Sequence, residues 1–273
     1  MGWQHLEDRL RQKMGKGVIG FIPYVTVGYP DLGTTKALVK LLDESGADTV
    51  ELGVPFSDPL ADGPTIQRAS FQALRNGATF NRCLETAAAI RSSGVRVPLV
   101  FMSYYNPILA HGLEATARDA AGAGVDGFIV PDLPTEEATP FRDACERSTL
   151  ALVPLLAPTS SPQRVADACP PARGFIYCVS LTGVTGARAA LSTEVSRLVR
   201  EVRRHTRLPV AVGFGISRRE HVTEVGAVAD AAVVGSALLD VVGRAAPGHA
   251  LSAARAFVAE LVNVPRPGTR GAS

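Results

Sequence analysis

The sequence predicts an α/β protein built as a single (β/α)8 TIM barrel with an extra N-terminal helix. Three observations carry that reading. Eight short apolar, β-rich runs recur along the 273 residues, with stretches of helical periodicity between them. Strands alternating with helices pair in parallel through helical crossovers. Eight such units in about 250 residues match the count and size of this barrel. The runs are also continuously apolar, as strands are when helices cover their outer face. A doubly wound open sheet is the alternative that the pattern alone leaves standing.

The elements follow in order. Trp3–Met14 is amphipathic and reads as the extra helix. VIGFIPYVTV (18–27) is the first strand, and Thr34–Ser45 is its helix, with Leu38, Leu41 and Leu42 at helical spacing and Gly46 as the stop. DTVELGV (48–54) comes second. PFSDPLADGPTIQ (55–67) follows it with prolines at 55, 59 and 64, which predict a stiff, non-helical loop. Phe80–Ser92 reads as a helix closed by Gly94, VPLVFMSYY (97–105) as a strand, and Leu113–Ala123 as a helix closed near Gly122 and Gly124. DGFIVPD (126–132) precedes a helix over Glu136–Arg147, and LALVPLLA (150–157) precedes one over Pro162–Ala168. GFIYCVSL (174–181) leads to Thr193–His205, where Val195, Leu198, Val199 and Val202 repeat at helical spacing. LPVAVGFG (208–215), Arg218–Val225 and ADAAVVGSA (229–237) complete the series. The domain is expected to span 1–263. Residues 264–273, VPRPGTRGAS, lack periodicity and are expected to form a disordered tail.

Composition removes several functions. The charge is +2, from 28 basic and 26 acidic residues, which gives no electrostatic reason to expect nucleic acid or an anionic membrane. The lysines are Lys13, Lys16, Lys36 and Lys40, so a Schiff base on a late strand is excluded, as is a Gly-Lys-Ser/Thr phosphate loop. Cys83, Cys145, Cys169 and Cys178 form no CxxC pair, which suits a reducing compartment and gives neither a disulfide framework nor a zinc site. No metal site is expected. The charged N-terminal segment is no secretory signal, and no apolar run reaches the roughly 18–20 residues of a membrane span. A cytoplasmic protein is expected. The five histidines have no ligand spacing and read as surface or structural residues.

Active sites of such barrels lie at the C-terminal ends of the strands. In the second strand, alternation sets Val50 and Leu52 against Thr49, Glu51 and Gly53. If the valine and leucine face the helices, Glu51 points into the barrel, where desolvation raises its pKa toward the range of a general acid/base. A glutamate satisfied by a distant arginine is the competing reading. In the proline-rich loop, Asp58 and Asp62 are either site residues or turn-forming side chains. Glycines recur at three strand ends: Gly183 and Gly186, Gly213 and Gly215, and Gly235 before Ser236. Together they favour a phosphate held by backbone N–H groups and a helix N-terminus over a series of tight turns.

Several segments, in order, carry a resemblance. FIPYVTVGYPD (21–31), ELGVPFSDPLADGPTIQ (51–67), MSYYNPI (102–108), VPDLPTEE (130–137), VSLTGVTGAR (179–188) and GFGIS (213–217) are similar to the tryptophan synthase alpha subunit family, from about Phe21 to Val242. The resemblance implies cleavage of indole-3-glycerol phosphate to indole and glyceraldehyde 3-phosphate. It implies Glu51 and Asp62 as the catalytic acids. Tyr24, Tyr104, Tyr177 and Thr185 fall on substrate-contacting positions, with Thr185 meeting Asp62 when a loop closes. Gly186, Gly215, Gly235 and Ser236 fall on phosphate-binding positions. Asp58 falls in the loop facing the beta subunit, and Asp132 on another loop acid near the site. No cofactor is implied in this chain, and pyridoxal phosphate is implied only in a beta-subunit partner, in an alpha2beta2 tetramer. Tyr24 stands where the family often has phenylalanine, and Leu181 where it often has arginine. A stand-alone lyase releasing free indole is the alternative, and a non-catalytic allosteric barrel is disfavoured by the Glu51/Asp62 pair. Indole-glycerol-phosphate synthase chemistry would need a lysine on a suitable strand.

Overall fold

The computed structural model describes residues 2–179, 193–213 and 215–267. Its strands are β1 (Gly20–Thr26), β2 (Val50–Gly53), β3 (Leu99–Met102), β4 (Gly127–Ile129), β5 (Ala151–Val153), β6 (Leu155–Leu156), β7 (Ile176–Val179), β8 (Val210–Gly213) and β9 (Ala231–Val234). They pair in parallel, in the order β5-β4-β3-β2-β1-β9-β8-β7-β6. The two ends of that order, β5 and β6, are separated in the chain by Pro154 alone. The expected strand 150–157 is therefore one stave broken in its middle, and the chain passing along it closes the sheet. Proline explains the break, since it has no N–H to give the ladder. Its carbonyl still accepts from the Tyr177 N–H at 3.1 Å. A doubly wound sheet has no such closure, so the barrel reading holds.

The helices are α1 (Trp3–Gly15), α2 (Leu32–Glu44), α3 (Pro64–Arg75), α4 (Phe80–Ser92), α5 (Tyr105–His111) and α6 (Leu113–Gly122). After them come α7 (Thr139–Arg147), α8 (Pro162–Ala168), α9 (Thr193–His205), α10 (Arg219–Gly226), α11 (Ser236–Arg244) and α12 (Ala250–Leu261). Two expectations are corrected by proline geometry. The loop expected over 55–67 ends at Gly63, because Pro64 takes the first helical position, where its missing N–H costs nothing. The helix expected from Glu136 begins at Thr139 instead, because Pro140 is tolerated only in a first turn; Thr135–Glu137 form a separate 3-10 turn.

The expected tail boundary also moves. Val264 is buried and its carbonyl accepts from Ile19 N–H at 3.0 Å, while Pro265 bridges to Val18. Arg266 pairs with buried Asp230 at 2.7 Å. Residues 264–267 thus belong to the folded body, and 268–273 lie outside the described residues. Low periodicity misled because these contacts are made one residue at a time, by a segment with no regular structure of its own.

Side-chain alternation sorts the core into two layers. Val50, Leu52, Phe101, Phe128 and Val212 pack outward against the helices. Ile22, Val100, Ile129, Val153, Phe175 and Val233 pack inward, and Leu6 and Leu10 of α1 join them as the floor of the barrel. That contact is the reason for the extra helix: two leucines four residues apart fall on one helical face.

Three buried aspartates stitch the lower rim. Asp48, Asp126 and Asp230 stand just before β2, β4 and β9, and each donates its N–H to, and accepts through its carboxylate from, the same residue of a neighbouring strand: Phe21, Leu99 and Val210. Each carboxylate also meets cations, which offset its burial: Arg9 and Lys13 at Asp48, Arg91 at Asp126, Arg203 and Arg266 at Asp230. Among the described residues, no helix is long and apolar enough to cross a membrane.

Candidate active site

Glu51 sits in the middle of β2, in register with Tyr24 of β1 and Val100 of β3. Its neighbours Val50 and Leu52 face the helices, so Glu51 faces the barrel interior, where it is 1% exposed. Its Oε1 has no hydrogen-bond partner among the described residues. The competing reading of a glutamate satisfied by an arginine is not met there. Burial alone pushes its pKa up to about 8.

Asp62 ends the loop after β2, and its surroundings are different. Gln67 braces the loop by donating to the Asp62 carbonyl at 2.9 Å. Tyr104, just beyond β3, donates its hydroxyl to Asp62 Oδ2 at 3.1 Å and accepts from the Ala61 N–H at 2.9 Å. Phe56 stacks on the Tyr104 ring at 5.2 Å between centroids, and Ser70 holds the Phe56 backbone at both its N–H and its carbonyl. Burial raises the Asp62 pKa to about 6, against the lowering effect of the Tyr104 hydrogen bond. Two carboxylates thus titrate apart because one is fully enclosed and unpartnered while the other is hydrogen-bonded at the rim.

Tyr24 and Tyr177 are buried alongside these acids. Burial first, then the neighbouring carboxylates, drives both phenols above their ordinary pKa: Asp62 is the larger second cause for Tyr24 and Glu51 for Tyr177. They are therefore neutral hydroxyls. The Thr26 hydroxyl donates to that of Tyr24 at 3.4 Å.

The strand ends complete the upper rim. Gly215 follows β8 with φ at +41°, a left-handed conformation that glycine adopts readily. Gly235 caps α11 and Ser236 opens it, directly after β9. That brings the free N–H groups of a nine-residue helix to the rim. Thr185 and Gly186, like Leu181, lie outside the described residues. Asp58 is exposed on the loop beside Leu60, which is 84% exposed. Asp132 is also exposed, and its Oδ1 accepts from the Tyr105 N–H at 2.8 Å, capping α5. So Glu51, Asp62, Tyr24, Tyr104 and Tyr177 converge, Gly215, Gly235 and Ser236 line the strand ends, and Asp58 and Asp132 stand on the rim loops. Among the described residues, no group of three or more His, Cys, Asp or Glu could hold a metal ion.

With this geometry in place, comparison with known proteins decides the family. A family model described as tryptophan synthase alpha chain matches residues 10–263. The chain belongs to that family. It is 49% identical over 247 residues to the tryptophan synthase alpha chain of Chloroflexus aggregans, covering 90% of this chain and 92% of that one. It is 49% identical over 253 residues to that of Roseiflexus castenholzii, covering 93% and 97%. Among solved structures it is similar to Mycobacterium tuberculosis tryptophan synthase, with a TM-score of 0.88 and 38% identity over 96% of this chain and 98% of that one. The alpha subunit from Legionella pneumophila strain Paris gives 0.86 and 33%, over 94% and 96%. The members of the tryptophan synthase alpha chain family are enzyme subunits, and barrels of this kind do their chemistry at the C-terminal ends of the strands.

Some contributions to the site are not read from the sequence, which sets Gly53 on the inward face and Gly213 at a strand end without showing what either makes room for. A Cβ on Gly53 would lie 2.0 Å from the Tyr24 hydroxyl, and one on Gly213 would lie 2.3 Å from that of Tyr177. These glycines, one at the end of β2 and one at the end of β8, make room for the two phenols. For Gly53 a signal existed: it stands two residues after Glu51 and so shares its inward face. Phe56, Ser70 and Gln67, which fix Tyr104 and the loop, left no such signal, because their contacts depend on where α3 packs.

Proposed function

We propose that this chain cleaves indole-3-glycerol phosphate to indole and glyceraldehyde 3-phosphate, a retro-aldol reaction. The observation that carries the reading is Glu51: an inward carboxyl with a raised pKa and an unpartnered oxygen, beside an acid of lower pKa.

Indole leaves only as a neutral ring, so C3 must first gain a proton. Glu51, protonated, gives its proton to C3 and forms the indolenine, which places positive charge on the ring nitrogen. Asp62, ionised, accepts the indole N–H and stabilises that charge. The Glu51 carboxylate then takes the proton of the side-chain hydroxyl next to C3. The O–H electrons become the aldehyde carbonyl, the C3–carbon bond breaks, and its electron pair restores the aromatic ring. Glu51 ends protonated, as it began. The phosphate is far from the bond broken, and N–H groups near Gly215, Gly235 and Ser236 supply binding energy that positions the substrate. Thr185 and Gly186 join this site in the same reading, and Tyr24, Tyr104 and Tyr177 bound the ring.

We further infer that the chain acts as the alpha subunit of a tryptophan synthase, with pyridoxal phosphate held by a beta-subunit partner, in the cytoplasm. The likeness to solved tryptophan synthase structures supports a protein partner.

The deciding experiment is turnover of indole-3-glycerol phosphate by the isolated chain, with and without a beta subunit. Large activation supports the subunit reading, and high activity alone supports a stand-alone lyase. Glu51→Gln and Asp62→Asn should each lose at least ~10²-fold in turnover while retaining phosphate affinity. Near-normal turnover in either would sink the assignment. Gly235→Asp should raise KM sharply by setting an anion against the phosphate, and an unchanged KM refutes that part.

A further inference from the structure

The broken stave opens a second cavity. Ile129 at the end of β4 is in register with Val153 of β5, but beyond Pro154 the chain pairs with β7 instead. Where the two strands part, a cavity of about 300 Å³ lies between them, reaching toward α7 and α8. Neither Glu51 nor Asp62 lines it. Its apolar walls include Val130, Leu133, Leu152 and Pro171, and two arginines, Arg142 and Arg164, line it as well.

The two arginines differ. Arg164 is paired with Glu136 at 3.0 Å. Arg142 donates to the Thr139 hydroxyl at 2.8 Å and makes no ion pair among the described residues. Arg142 is partly exposed, and a guanidinium beside apolar walls, with no carboxylate of its own among the described residues, is suited to bind an anion in two parallel hydrogen bonds. The acid lining the cavity, Asp132, already accepts from Tyr105 N–H. The volume is at the small end for ligand sites and admits a compact molecule rather than a peptide helix.

We propose that this flank cavity is a second binding site, for a small organic anion with an apolar body of one or two rings and a single anionic group. The walls take the rings, and Arg142 takes the charge. Because Asp132 both lines the cavity and caps α5, an occupant would sit one residue contact away from Tyr104.

Calorimetric titration of the full chain with 2-naphthoate tests this. Saturable one-to-one binding is expected, weakened at least ~10-fold by Arg142→Glu, since a hydrogen bond to a charged group is lost and a repulsion gained. Ala168→Phe, which fills the cavity from a buried lining position, should abolish it. Should that variant fail to fold, Arg142→Glu on a partly exposed site decides alone. Absence of saturable binding, or binding unchanged by Arg142→Glu, overturns the proposal, the latter by placing the ligand elsewhere, such as inside the barrel.

Discussion

The Tyr104 hydroxyl lies 3.1 Å from Asp62 Oδ2 and accepts from the Ala61 N–H at 2.9 Å. Because the loop N–H occupies its lone pair, the hydroxyl proton is directed at the carboxylate. One phenol therefore fixes the loop after β2 and stabilises the ionised form of Asp62. In Tyr104→Phe that stabilisation is lost and the Asp62 pKa rises above about 6. The acid limb of kcat/KM should move ~1–2 pH units higher, the worth of a hydrogen bond to a charged group, with a loss of ~10- to 100-fold on the acid side of the limb and ~2- to 10-fold at neutral pH. An unmoved limb would mean that the contact does not act on Asp62.

The proposed reaction requires opposite protonation states of the two acids. Asp62 must be ionised, hence above about 6, and Glu51 protonated, hence below about 8. The pH profile of kcat/KM should be a bell between those values. A flat profile through pH 8 would contradict Glu51 as the proton donor.

Glu51 should also cost stability. Its carboxyl titrates near 4.5 when unfolded and about 8 when folded. Between those values the native state holds a proton that the unfolded chain has lost, so stability falls as pH rises through this window. Glu51→Gln cannot ionise. At pH 8 it should be more stable than the parent by a few kcal/mol, on the order of 1.4 kcal/mol for each tenfold difference in proton affinity between the two states. At pH 4.5 the two should be about equally stable. Thermal unfolding at both values checks this, and an equal Tm at pH 8 would refute it.

Gly53 should tolerate no side chain. Gly53→Ala would bring its Cβ to 2.0 Å from the Tyr24 hydroxyl, so the ring must shift. Urea unfolding should report a loss of ~1–3 kcal/mol, typical of overpacking. Gly122→Ala, at the end of α6 where a Cβ meets nothing within 4 Å, serves as the comparison and should leave stability unchanged or slightly higher.

Arg266 tests the C-terminal segment. It reaches Asp230 at 2.7 Å and the Ala229 carbonyl at 2.8 Å, so Arg266→Ala removes one of the cations that offset a buried carboxylate. Arg203 remains, which limits the cost to ~1–3 kcal/mol. Unfolding indistinguishable from the parent would return residues 264–267 to the status of a dispensable tail.

Much of the barrel could be read directly from the chain. The helices Phe80–Ser92, Pro162–Ala168 and Thr193–His205 have the bounds expected of them, and the inward face of Glu51 followed from Val50 and Leu52. These are local signals, set by repeats of 3.6 and 2 residues within one element. Proline was harder to place. Pro64 and Pro140 belong to first turns, and Pro154 to a gap in a strand, and the residue alone does not distinguish these uses.

By itself, then, the sequence determined the alternation of strands and helices, the inward carboxylate, and the glycines at the strand ends. Tertiary structure decided what those residues could do. The separation of Glu51 from Asp62 in pKa arises because β1, β3 and the rest of the barrel enclose one carboxyl while Tyr104 reaches the other from 42 residues away. Desolvation is a sum over everything packed around a group in space. Neighbours along the chain supply only a small part of it, so the barrel had to close before two ordinary carboxyls came to titrate apart.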